Sequence, residues 1–60
     1  MEGANIKKFR ELNNMSQQQL ANEIGVTQSY IAQIERGTRA IPLPLAKQIA
    51  SVLNVSITDF

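Results

Sequence analysis

Sixty residues with six basic and five acidic side chains, a formal charge of +1, bound the chain to one domain, at a size where folding hides only about 60% of the unfolded surface. Neither cysteine nor histidine is present. Disulfides, thiolate or imidazole metal sites, cysteine nucleophiles and histidine bases are therefore excluded together.

The apolar runs are only a few residues long and the opening MEGANIKK has no apolar centre, so the expectation is a cytoplasmic protein with no membrane span and no signal peptide. So small a charge excess does not by itself announce nucleic-acid binding. In chain order, Ile6, Phe9 and Leu12 mark a first helix ending at Asn13-Asn14, where asparagine tolerates the left-handed conformation common past a helix end. Leu20, Ala21 and Ile24 mark a second, stopped by Gly25. Ile31 and Ile34 are the inward pair of a third, ending at Gly37. Pro42 and Pro44 bracket an extended link to a fourth helix carrying Leu45, Ala46, Ile49, Ala50 and Leu53, and residues 55–60 read as the start of a fifth. No alternating strand pattern, repeat or low-complexity tract is present. The expected fold is all-α, a compact bundle of five short helices in one domain over residues 1–60, with Leu20, Ala21, Ile24, Ile31, Ile34, Ile49 and Leu53 in one core.

The same device recurs at the starts of the second, third and fifth segments. Ser16, Thr27 and Ser56 are suitable N-caps, each preceded by an apolar residue (Met15, Val26, Val55) and followed four positions later by another (Leu20, Ile31, Phe60). That spacing is the hydrophobic staple, which fixes the angle at which the chain enters a helix. Gln19 completes a capping box with Ser16, while Asp59 occupies the equivalent place after Ser56. Helices with specified entry angles suit a compact bundle better than a coiled coil.

The third helix presents a reading face. Advancing about 100° per residue from Gln28, Ile31 and Ile34 centre near 270° while Ser29, Ala32, Gln33 and Arg36 centre near 90°. Long amides can bridge adenine N6 and N7, arginine can bridge guanine O6 and N7, and an alanine methyl can touch the thymine methyl. A polar face is also what any surface helix has; the spacing weighs against that plainer reading. A helix from about Gln17 to Ile24, a turn centred on Gly25 and a helix from about Gln28 form a helix-turn-helix, with small Ala21 at the approach of the two helices.

On these residues, SQQQLANEIGVTQSYIAQIERGTR above all, the chain resembles the Cro and C1 repressor-like helix-turn-helix family, also called the xenobiotic response element family, whose domains are lambda repressor-like. The motif spans about residues 16–36. The resemblance implies a third helix in the major groove, with Gln28, Ser29 and Gln33 contacting bases; the wheel adds Ala32 and Arg36. Gln17, at the positive end of the second helix, is implied to grip the DNA backbone, and Thr27, Tyr30 and Arg39 are expected beside it on phosphate. Arg10 and Glu35 match a family pair forming a partly buried salt bridge. Ile57, Thr58 and Phe60 are candidates for a two-fold interface or for closing the domain's own core. Lys7, Lys8 and Gln18 read as solvated surface.

The function these expectations support is sequence-specific binding of double-stranded DNA by a transcriptional regulator of bacterial or phage type, most simply a repressor on a pseudo-palindromic operator, as a homodimer at least on DNA. An antitoxin or other protein-interaction module on the same fold is the alternative. No cofactor, metal or small-molecule ligand is expected, and no residue set for catalysis is visible.

Overall fold

The fold is decided where its helices end. In the computed structural model, which describes residues 2–59, α1 (Gly3–Leu12), α2 (Gln17–Ile24), α3 (Gln28–Arg36) and α4 (Leu43–Leu53) are followed by a 3-10 turn, Ile57–Asp59. Each α-helix is closed by a left-handed residue, Asn14 (φ 57°), Gly25 (79°), Gly37 (80°) or Asn54 (59°). The next amide then reaches the carbonyl five residues back: Met15 to Arg10 (3.1 Å), Val26 to Ala21, Thr38 to Gln33 and Val55 to Ala50 (3.0 Å each). This pairing satisfies carbonyls that the end of a helix leaves without partners.

Met15 and Val26 serve twice. Each closes one helix and, as the residue before an N-cap, opens the next. Ser16 Oγ accepts from the Gln19 amide (3.0 Å) while Gln19 Oε1 accepts from the Ser16 amide (2.7 Å), a complete capping box. Thr27 Oγ1 accepts from the Tyr30 amide at 3.1 Å. With exit and entry angles set by the same residue, α2 and α3 have little freedom in how they cross.

The core is one cluster of Ile6, Leu20, Ala21, Ile31, Ile34, Ile49 and Leu53, with Phe9, Met15, Ile24, Val26, Tyr30, Ile41, Leu45, Val52 and Val55 packed around it. α2 packs against α3 and α4, and α1 against the same two helices. At the start of α1 the backbone passes so close to the end of α3 that a Cβ on Gly3 would overlap the carbonyl of Ile34. Among the described residues, no helix is long and apolar enough to cross a membrane.

Three expectations are corrected, on the fifth helix, the extended link and the membership of the core. The fifth helix is a single 3-10 turn: Ser56 Oγ accepts from the Thr58 amide, two residues on, at 3.3 Å, a local bond that competes with an α-turn, and the β-branched residues around it do not favour one. The staple partner Phe60 lies outside the described residues. Pro44 sits inside the first turn of α4, where its missing N–H has no helical partner to lose, so the extended link ends at Pro42. Leu12 is 69% exposed while Arg10 is buried; steps of three residues rotate about 60° away from the core each time, whereas the four-residue step from Ile6 to Arg10 stays on it. Ile24 is half-buried at the margin of the core, and Ile6, absent from the expected core, is fully buried in it.

Candidate nucleic-acid interface

α2, the Gly25 turn and α3 form the helix-turn-helix. Ala21 is fully buried, and its carbonyl receives the amides of both Gly25 (2.9 Å) and Val26 (3.0 Å), so the turn is pinned to the residue whose small side chain lets the helices approach. α3 turns Ile31 and Ile34 inward and leaves Gln28, Ser29 and Arg36 exposed, with Ala32 and Gln33 half-buried. The first-turn amides of Gln17 and Gln18 lie outside the ladder of α2, at the positive end of its dipole.

Two chains of hydrogen bonds order this face. The first begins in the interior, where Arg10 grips Glu35 through Nε to Oε2 (2.7 Å) and Nη2 to Oε1 (3.1 Å), and donates Nη1 to the Met15 carbonyl (2.7 Å). The Arg10 side chain is 9% exposed and that of Glu35 is 3%. The hydrogen bond to Glu35 pushes the Arg10 pKa above its ordinary value; burial opposes this, and attraction to Glu35 and Glu11 adds to it. Gln17 Nε2 also donates to Glu35 Oε1 (3.0 Å). A carboxylate only accepts, so Gln17 must turn its nitrogen inward and its oxygen away. Gln28 Nε2 approaches that oxygen at 3.4 Å. A buried ion pair on α1 and α3 thus sets the amide orientation of the first residue of α2, which in turn meets the first residue of α3.

The second chain runs along the surface of α3, from its second residue Ser29 to Arg39 beyond its end. The Arg39 guanidinium has its Cζ over the Tyr30 ring, 5.1 Å from the centre, and donates Nε to Gln33 Oε1 (2.9 Å). Gln33 Nε2 lies 3.4 Å from Ser29 Oγ. Thr38 bonds the Gln33 carbonyl through both its amide (3.0 Å) and its hydroxyl (3.1 Å). The Arg10–Glu35 pair is implied by the resemblance, whereas the links of Gln17 to Glu35 and of Arg39 to Gln33 are not among the sequence expectations. A signal for the second existed: a left-handed Gly37 folds the chain back, bringing residue 39 beside residue 33. The first had none, because Gln17 and Glu35 lie 18 residues apart on different helices.

The other expected site residues occupy simpler positions. Thr27 caps α3 with an exposed side chain, and Ile57 and Thr58 are exposed on the turn after α4. Phe60, expected with them at a two-fold interface, lies outside the described residues.

Residues 6–60 match a family model described as helix-turn-helix. A control protein of Serratia marcescens, C.SmaI, is 38% identical over 53 residues, 88% of this chain and 63% of that protein. The control protein C.BamHI of Bacillus amyloliquefaciens is 38% identical over 58 residues, covering 95% of this chain and 72% of its own length. The chain thus spans less than two thirds of the Serratia relative. A crystal structure of the biofilm master regulator SinR in complex with DNA superposes with a TM-score of 0.87 at 34% identity, over 97% of this chain and 94% of that one.

Proposed function

The chain belongs to the helix-turn-helix family, and from that premise we propose that it is the DNA-reading domain of a transcriptional regulator, with α3 in the major groove of an operator half-site. The observation that carries this reading is the outward row of Gln28, Ser29, Gln33 and Arg36 on a helix whose opposite face is locked into the core. Gln28, Ser29, Ala32, Gln33 and Arg36 address base edges. Gln17, Thr27 and Tyr30 address the phosphate backbone, with the free amides at the start of α2 beside them. The solved DNA complex of a neighbour with 34% identity supports DNA as the partner.

Occupying an operator so as to exclude transcription machinery makes the regulator a repressor, and two copies on a pseudo-palindrome provide the affinity one half-site lacks, with Ile57, Thr58 and Phe60 near the two-fold axis. Selection of bound duplexes from a random pool, followed by footprinting, tests the reading. One enriched motif with protection of its major groove is expected. Failure to enrich any motif, together with a stoichiometric protein partner recovered from cells, would instead favour the protein-interaction module.

A further inference from the structure

The exposed side of α3, from Ser29 to the turn after Gly37, carries an arrangement that a simple phosphate contact does not require. Arg39 is held at two places, its Cζ over the Tyr30 ring at 5.1 Å from the centre and its Nε on Gln33 Oε1 at 2.9 Å. The other end of the same amide, Gln33 Nε2, faces Ser29 Oγ at 3.4 Å. Both ends of the amide are therefore engaged along the protein surface. A glutamine that chelates adenine must aim its oxygen at N6–H and its nitrogen at N7 together; here one of the two lone pairs of that oxygen is taken by Arg39, and the bond fixes the direction in which the amide points.

Beyond one lone pair each on Gln33 Oε1 and Ser29 Oγ, what this cluster offers outward is hydrogen. Arginine has five N–H donors and no acceptor, and an amide nitrogen has two. After the bonds named above, the arginine retains its Nη hydrogens, Gln33 retains an N–H, and Ser29, accepting from Gln33, keeps its own hydroxyl hydrogen to donate. Guanine is the base whose major-groove edge, N7 and O6, is made of acceptors alone. A cation–π contact and a charge-assisted hydrogen bond on one guanidinium also reduce the freedom that an exposed arginine would otherwise lose on binding.

We propose that Arg39 is a positioning residue for Gln33: held by Tyr30, it orients the amide through its oxygen and makes the Ser29–Gln33–Arg39 row of the reading face a donor-rich surface that selects guanine over adenine. This rests on the DNA-binding reading above, and it departs from the expectation that Arg39 touches phosphate alone.

The test is selection from a random duplex pool by the wild-type chain, Arg39→Ala and Tyr30→Leu, with circular dichroism to confirm that each folds, and with binding of the enriched sites measured across a salt series. The wild type is expected to select guanine at the base pair facing Gln33. Arg39→Ala frees the amide and should move the preference at that base pair to adenine, a change of about tenfold or more in the guanine-to-adenine ratio. Tyr30→Leu, which keeps the positive charge but removes the ring, should weaken the same preference at the same base pair. If Arg39→Ala lowers affinity for every sequence by one factor and reduces the salt slope by about one phosphate, with the preference intact, Arg39 is a backbone contact and the proposal is overturned. A wild-type preference for adenine at that base pair overturns it as well. No enrichment by the wild type removes the DNA-binding reading and this proposal with it.

Discussion

The Arg10 guanidinium and the Glu35 carboxylate meet through two hydrogen bonds, 2.7 and 3.1 Å long, across 25 residues of sequence, with both side chains nearly out of contact with solvent. Removing one partner leaves a buried charge without its counterion, whereas removing both does not. Glu35→Ala should therefore destabilise the fold by about 3–5 kcal/mol, a large part of the roughly 3–9 kcal/mol available to a domain of this size. Arg10→Met/Glu35→Leu should lose less, though not nothing, because the Met15 carbonyl also loses its Arg10 donor. Urea denaturation of both variants checks this; equal losses would mean that the pair is not coupled. Because the folded pKa of Arg10 is raised, its contribution is fully present below the ordinary arginine range and fades only as pH rises beyond it. The difference between wild type and double variant should accordingly show no loss through Arg10 from about pH 7 to 10.

Asn13 Nδ2 donates to the Phe9 carbonyl at 2.8 Å and to the Leu53 carbonyl at 3.2 Å, tying the ends of α1 and α4 together. Asn13→Ala removes the side-chain donor to the Leu53 carbonyl, while the Phe9 carbonyl keeps the backbone amide of residue 13 (3.1 Å), and should destabilise by about 0.5–1.5 kcal/mol. Asn13→Asp, similar in size but without the N–H donors, should lose as much. An unchanged melting temperature in both variants would show that water replaces the amide at no loss.

Gly3 has no room for a side chain, since a Cβ would overlap the Ile34 carbonyl. Gly3→Ala must move the first turn of α1 away from α3 or fray it, at about 1–3 kcal/mol, even though alanine is the better helix former. Thermal melts of Gly3→Ala would contradict this close approach if the variant were more stable than wild type.

Gln17 and Gln28 should act on DNA as a pair, because Gln28 Nε2 reaches Gln17 Oε1 and Gln17 is itself oriented by Glu35. Gln28→Ala is expected to lose about 1–3 kcal/mol of discrimination at one base position. Gln17→Ala should weaken binding broadly and also reduce discrimination at that same position. A double-mutant cycle on operator binding should give a coupling of at least about 0.5 kcal/mol. Strict additivity would show that the bond does not persist on DNA.

If two copies occupy the operator about a two-fold axis, half-site centres should lie roughly 34 Å apart, one turn of B-DNA. Inserting five base pairs, about half a turn, would carry one half-site to the opposite face of the duplex and should abolish cooperative binding in a band-shift titration. Cooperativity that survives the insertion would exclude the symmetric arrangement.

The turns were legible in the sequence because their determinants are local. The capping box of Ser16 and Gln19, the N-cap of Thr27 and the left-handed Gly25 and Gly37 act over three to five residues, so type and spacing alone specify them. The bounds of α2 and α3 and the outward side of α3 follow from that. Relationships set by packing were not legible, because apolar periodicity marks a face without saying where the opposing helix ends. Leu12 belongs to the apolar pattern of α1 and yet is exposed, while Arg10, which breaks the pattern, is buried because Glu35 lies across from it. Asn13 reads as a stop signal and proves also to be a clamp on a helix 40 residues away. Gln17, Gln28, Gln33 and Arg39 are recognisable as polar surface from sequence, but the orientations of the Gln17 and Gln33 amides are set by the ions that they touch, and only the tertiary fold brings Glu35 to Gln17 and Arg39 to Gln33.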